Sequence, residues 1–192
     1  MVFPLNLAFN ATEEAATLAN YPNFRFFHVQ MDYSSTPQFD LRAKPVGACK
    51  STNNGTCNKW VNAEDAAGQY LLDFSAVCFM TVRNIVHMNF QSNRPMALVL
   101  SAWGGTRVEA WMSSDDIKNA GSPVTGNIPK RKLQNQQSVL YNAMVAPFDR
   151  MSVRGMIWYQ GEANADQAMV SANINPTEYY STAYQSMIYG WR

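Results

Sequence analysis

Met96-Ala97-Leu98-Val99-Leu100 is a continuous apolar run that follows Pro95. Five apolar residues without alternation suggest a strand buried on both faces, as in a parallel sheet. Upstream, Phe24-Arg25-Phe26-Phe27-His28-Val29 is aromatic and β-branched over a short run and reads as a strand. A polar stretch from Met31 to Val61, with Pro37, Pro45 and Gly47, reads as loop. A helix is expected after Asn62, whose side-chain oxygen suits a cap, with Asp65 in the acidic position three residues on. Leu71, Phe74, Val77, Cys78, Val82 and Ile85 then give that helix one apolar face.

Downstream, Leu140, Met144 and Val145 put helical spacing into Ser138–Phe148. Gly155-Met156-Ile157-Trp158-Tyr159 is a second candidate buried strand, and Pro176–Ile188 is helical again. This alternation predicts an α/β fold with a parallel sheet and right-handed crossovers, in one domain over residues 1–192.

The composition narrows the function classes. The chain has 192 residues, 47% of them hydrophobic and 15% charged, so disorder is excluded as its main state. The formal charge is +1, and Lys130-Arg131-Lys132 is too short for a nucleic-acid footprint, so no nucleic-acid partner is expected. No apolar run approaches the roughly 20 residues of a membrane span. The opening Met1-Val2-Phe3-Pro4-Leu5 has no cationic stretch before an apolar core, hence no signal peptide in these residues. Cys49 and Cys57 bracket a Gly/Asn/Thr-rich loop and would pair in an oxidising compartment, or stand as two idle surface thiols. Cys78 reads as a small core residue. Asn10-Ala11-Thr12 and Asn54-Gly55-Thr56 are glycosylation sequons.

In open parallel sheets ligands bind beyond the carboxyl ends of the strands. Two unusual segments are expected there: Ser101-Ala102-Trp103-Gly104-Gly105-Thr106 and Gln160-Gly161-Glu162-Ala163-Asn164. Paired glycines let backbone N–H groups approach a ligand, and an amide side chain at the next strand end can donate to the same point. Together they would form a two-donor site for a developing oxyanion. Gly-Gly alone is more often a plain turn. A nucleophile is harder to find. There is no Gly-x-Ser-x-Gly, His28 sits mid-strand, and His87 lies on a helix. Ser101 suits packing as well as chemistry. Glu109 and Glu162 would serve as acids or positioning groups, or as a carboxylate pair in one crevice, with a surface or capping role equally open for Glu109. Trp103, Trp111, Trp158 and Tyr159 could stack on sugars, although core packing is the favoured reading for Trp103 and Trp158.

Three blocks carry a family resemblance: Ser101-Ala102-Trp103-Gly104-Gly105-Thr106-Arg107-Val108-Glu109-Ala110-Trp111, Ser138-Val139-Leu140-Tyr141-Asn142-Ala143-Met144-Val145-Ala146-Pro147, and Gly155-Met156-Ile157-Trp158-Tyr159-Gln160-Gly161-Glu162-Ala163-Asn164. They resemble the sialate O-acetylesterases, in order and over nearly the whole chain. The resemblance implies a three-layer α/β/α, SGNH-hydrolase-like (flavodoxin-like) fold with a mostly parallel sheet. It also implies hydrolysis of O-acetyl esters of sialic acids by a Ser-His-Asp triad, without cofactor or metal. Gly104 would be the backbone oxyanion donor, Gln160 or Asn164 the side-chain donor, and Glu162 a supporting group.

In that family the serine lies in a Gly-Gln-Ser-Asn-Met motif whose last methionine aligns with Met1. Its Asp-x-x-His lies far beyond Trp191-Arg192. The expectation is therefore a domain incomplete at both ends, with the triad outside the chain and the chain alone inactive. The resemblance further implies a secretory, lysosomal or extracellular location, with the signal peptide upstream. An acetylxylan esterase-type deacetylase and a non-catalytic glycan-binding remnant are the alternatives.

Overall fold

Phe24–His28 forms strand β1, among the described residues the centre of a three-stranded sheet of order β2-β1-β3. The structure, a computed structural model, describes residues 3–45, 56–88, 93–121, 133–165 and 174–192. Strand β3 is Met96–Leu100 and runs parallel to β1, with Phe26 opposite Leu98 and His28 opposite Leu100. Strand β2, Trp60–Asn62, is antiparallel to β1, with Phe26 opposite Val61. The fold is α/β as expected, but the sheet is mixed rather than mostly parallel. The antiparallel strand comes from the end of the stretch read as loop, where Trp60-Val61 is too short to show an alternating pattern.

The chain forms two compact units, Met1–Met31 with Gly47–Trp103, and Asp32–Val46 with Gly104–Arg192. The first holds the sheet. Phe24, Phe26, Leu98 and Leu100 face a core that includes Leu5, Leu71, Phe74 and Phe79. Phe26 meets the edge of Phe74 at 5.3 Å between ring centroids, a favoured aromatic arrangement. Burial along β3 alternates, with Leu98 and Leu100 buried and Ala97 exposed. Within its unit the apolar run is therefore buried on one face, not two.

The helix expected after Asn62 forms in three pieces: α2 (Ala63–Ala66), α3 (Gln69–Asp73) and α4 (Ala76–Met88). Helix α1 (Ala11–Ala16) precedes them. Asn62 caps α2 as predicted, accepting the Asp65 N–H at 2.8 Å. Gly68 then breaks the run at φ +94°, a conformation glycine adopts without the Cβ penalty. Phe74 is extended, and the N-terminal segment docks at that second break through Leu5 N–H to Phe74 O at 2.9 Å. The breaks shift the buried face, so Phe79 and Val86 enter the core while Ile85 is exposed. Cys78 is a free, half-buried thiol, and burial pushes its pKa up to about 12. Cys57 is disulfide-bonded; Cys49, its expected partner, lies outside the described residues. Asn10 is exposed, and Asn54 and Lys130-Arg131-Lys132 lie outside the described residues.

The second unit is built from α5 (Ser114–Ala120), α6 (Val139–Met144) and α7 (Pro176–Gly190). Ser113 and Asp116 form a reciprocal capping box on α5. Asn175 caps α7, where Pro176 fits because the first-turn N–H groups have no helical acceptor. Tyr179, Ala183 and Met187, spaced by four, bury one face of α7. Against α5, the Ser186 hydroxyl donates to Asp116 O at 2.6 Å and Gly190 lies on the Asp116 carboxylate. Gly155–Tyr159 is not a strand. It is irregular, with Met156, Ile157 and Tyr159 exposed, because no described strand pairs with its backbone. Apolar composition alone does not make a strand where a neighbour is missing. Among the described residues no helix is long and apolar enough to cross a membrane.

Two stability predictions follow from this packing. A Cβ at Gly190 would overlap the Asp116 carboxylate and displace half of the capping box. Gly190→Ala should therefore cost about 1–3 kcal/mol, read as a lower urea midpoint; an unchanged midpoint would refute the contact. His28 is buried, its Nδ1 without a partner among the described residues and its ring 6.3 Å from Phe74. Burial lowers its pKa from 6.5 to about 4, against a smaller opposing pull from Asp73. The unfolded chain then binds the extra proton between about pH 6.5 and 4, so stability should fall as pH drops through that window. The loss is on the order of 3 kcal/mol. His28→Leu should flatten that part of the pH profile relative to the unsubstituted chain.

Candidate active site

Thr106-Arg107-Val108-Glu109-Ala110-Trp111 is six consecutive residues, every one of them buried. Val108–Trp111 winds into a 3-10 turn, and the chain enters the segment through Gly105 at φ +74°. An arginine and a glutamate two residues apart inside such a segment must find partners, since a lone buried charge is costly. They find them in the second singled-out segment. Arg107 Nε donates to Ala163 O at 3.2 Å, and its Nη1 lies 3.8 Å from Glu109 Oε1. Asn164 Nδ2 donates to Glu109 Oε2 at 3.0 Å. Asn164 Oδ1 accepts from the Val108 N–H at 2.9 Å and from Gln160 Nε2 at 2.7 Å. Gln160 Nε2 also donates to Thr106 O at 3.0 Å.

The donor-bearing segment is a turn shaped by Gly161, at φ +156° and ψ −32°, and closed by the 3-10 turn Glu162–Asn164. The Tyr180 hydroxyl, from α7, donates to Gln160 O at 2.8 Å and accepts from Trp158 Nε1 at 3.1 Å. The Gln160 peptide and amide are thus held from opposite ends. Burial pushes the Glu109 carboxyl above its ordinary pKa. Its own backbone N–H, Asn164, the neighbouring Tyr179 hydroxyl and the Arg107 charge offset that rise only in part. Burial, and then the nearby Glu109 charge, push the Tyr179 phenol far upward. Beside the Gly161–Ala165 turn, an open depression of about 470 Å³ is walled by Pro176, Thr177, Tyr180 and Ser181.

The expected site residues separate clearly. Gln160 and Asn164 come together in one network, Gln160 half-buried and Asn164 only 1% exposed. Gln160 Oε1 takes no hydrogen bond among the described residues. Gly104 is exposed, with open space where a Cβ would stand. Glu162 is exposed, and its backbone carbonyl accepts the Ala165 N–H. Glu109 is committed to Asn164 and Arg107 in the interior, so it does not form a working carboxylate pair with exposed Glu162. Ser101 and Trp103 belong to the first unit and are half-buried. Trp111 is buried and donates Nε1–H to Thr106 Oγ1, and Trp158 packs 6.3 Å from Trp111 and 5.7 Å from Trp191. These two are packing residues; Tyr159 is exposed. His87 is exposed in the last turn of α4.

Arg107 and Tyr180 were missed by sequence reasoning. The available signal was an Arg-x-Glu embedded in an otherwise apolar and aromatic block. Among the described residues no group of three His, Cys, Asp or Glu side chains is placed to hold a metal ion.

Known proteins similar to this chain identify its family. Residues 52–188 match the carbohydrate esterase family of sialic acid-specific acetylesterases. Sialate O-acetylesterase of Homo sapiens is 33% identical over 186 residues, which is 96% of this chain and 32% of that protein. The Pongo abelii sialate O-acetylesterase is 32% identical over the same length and shares. A crystal structure of a carbohydrate acetylesterase from Xanthomonas citri superposes with a TM-score of 0.69 at 28% identity, covering 100% of this chain and 35% of that one. The chain spans about a third of the length of the curated relatives it matches.

The buried network makes a stability prediction. Arg107→Met would leave the Glu109 carboxylate in the interior without its cation, at a cost of about 3–5 kcal/mol. Adding Glu109→Gln to Arg107→Met should recover part of that loss in urea denaturation. No recovery would mean that Arg107 acts through packing alone.

Proposed function

The chain belongs to the carbohydrate esterase family of sialic acid-specific acetylesterases, and from that premise we propose that it supplies the oxyanion-binding part of an acetylesterase site. The substrate is an O-acetylated sialic acid, the sugar in its relatives' names. The nucleophilic serine, with its histidine and aspartate, is contributed by sequence outside these 192 residues, and residues 1–192 form part of one esterase domain. Serine attacks the acetyl carbonyl as histidine takes its proton, and the intermediate collapses with histidine protonating the departing sugar oxygen. Water deprotonated by the same histidine then hydrolyses the acetyl-serine to acetate, with aspartate orienting the histidine throughout. The tetrahedral oxyanion is held by the Gly104 backbone N–H and the Gln160 side-chain amide.

One observation carries this reading. The Gln160 amide is fixed between Thr106 O and Asn164 Oδ1, linking the glycine-pair block to the Gln-Gly-Glu-Ala-Asn block. An amide anchored through Asn164 Oδ1 need release only its N–H on Thr106 O to meet the developing charge. Half-buried Gln160 is the donor, whereas Asn164, 1% exposed and bonded through both amide atoms, holds it in place. On binding, the longer Gln160 bond to Thr106 O is exchanged for the oxyanion. Glu162 supports the site from the exposed rim of the turn. A disulfide at Cys57 suits an oxidising compartment, so we place the protein in the secretory pathway, lysosomal or extracellular.

Acetate release from O-acetylated sialic acid tests the reading. The 192-residue chain alone should be silent, and the same chain extended to include the triad should turn over. In the extended protein Gln160→Ala should lower kcat by roughly 10²–10³-fold. Turnover by the 192 residues alone, abolished by Gln160→Ala, would overturn the external triad. Sialic acid binding without any turnover by the extended protein would favour a glycan-binding role instead.

A further inference from the structure

The orientation of a primary amide is set by its partners, because its oxygen and NH2 ends are nearly equal in shape. Asn164 sits with its Nδ2 toward Glu109 Oε2 and its Oδ1 toward Gln160 Nε2 and the Val108 N–H. A carboxylate only accepts hydrogen bonds, so Glu109 admits the NH2 end of Asn164 and no other. Once that end is fixed, Oδ1 faces Gln160, and Gln160 must present Nε2 in return. Each link runs in one polarity, from the Gln160 amide through Asn164 to a buried charge. Thr106 O and the Val108 N–H select the same polarity, but they are neutral partners, and the bond to the ionised group is the stronger one.

On this geometry, and resting on the acetylesterase reading above, we propose that Glu109 is a positioning residue, which through Asn164 fixes the direction in which the Gln160 amide presents its N–H donors. Glu109 touches no reacting atom in this scheme. Its exposure is 0%, Asn164 donates to one of its oxygens, and Arg107 stands 3.8 Å from the other. An aliphatic side chain there would fill the space and leave the Asn164 NH2 unpaired in the interior.

The alternative is that Glu109 only neutralises Arg107. A double-mutant cycle in the triad-bearing esterase separates the two. Glu109→Gln can still accept from Asn164 but can also present its own NH2, so the polarity is no longer enforced. It should lower kcat by roughly 10-fold to 100-fold with KM unmoved, the scale of a misplaced catalytic group. In the Gln160→Ala background it should cause no further loss. An equal loss in both backgrounds would overturn the proposal.

Where Glu109→Gln does not fold, Arg107→Met/Glu109→Gln removes both charges together and is read in the same cycle. On the 192-residue chain, the Gln160 side-chain NH2 resonances should shift on Glu109→Gln, and unshifted resonances would overturn the relay. If Gln160→Ala leaves kcat unchanged, the acetylesterase role of Gln160 fails, and this proposal with it. Shifted Gln160 resonances in that case would mark the function, rather than the hydrogen-bonded link, as the failed step.

Discussion

The arrangement of the site depends on the Arg107–Glu109 pair closed off in the interior with Asn164 against it. Removing two charges from water is costly, and their attraction compensates only where further hydrogen bonds satisfy the remaining atoms. Those bonds come from Asn164 and from Ala163 O, so the Gln160–Asn164 turn is part of the charge pair's solvation. The turn cannot drift without exposing a buried ion. That constraint turns two separate stretches of sequence into one rigid polar network.

Elements recognised from their own residues were legible: β1, β3, α6, α7 and the Asn62 cap all lie where spacing and capping chemistry put them. Failures came wherever a partner decided the outcome. Trp60–Asn62 became a strand because β1 was there to pair with it. Gly155–Tyr159 carries residues suited to a strand, yet lacks a described neighbour and stays irregular. The stretch after Asn62 shows what periodicity misses: one apolar pattern overlooked the positive φ of Gly68 and the docking of Leu5 at Phe74. Both are local breaks that a window of average spacing smooths over.

The same distinction runs through the site. Gln160 and Asn164 were recognisable as amides on a glycine-shaped turn, and the structure brings them within one hydrogen bond of each other. The division of labour proposed for them was not recognisable, because it rests on burial and bond polarity that no spacing encodes. Glu109 and Glu162 illustrate the limit. As sequence they are two carboxylates of similar standing; in the structure one is fully enclosed and the other lies in solvent. Residue type names the chemistry a side chain can do, and its surroundings decide which part is used.

A hydrophobic substitute for the whole Arg107–Glu109–Asn164 group would serve stability at least as well, since apolar replacements of buried ion pairs are often neutral or stabilising. What such a substitute cannot do is orient an amide. A polar network allows few geometries, because a wrong rotamer turns donor onto donor or acceptor onto acceptor in the interior. For a group that must face a developing negative charge, a misaligned donor forfeits most of its effect. The cost of carrying ions in the core thus fits the proposed role of holding one amide in one direction, which an apolar core of the same volume would leave undetermined.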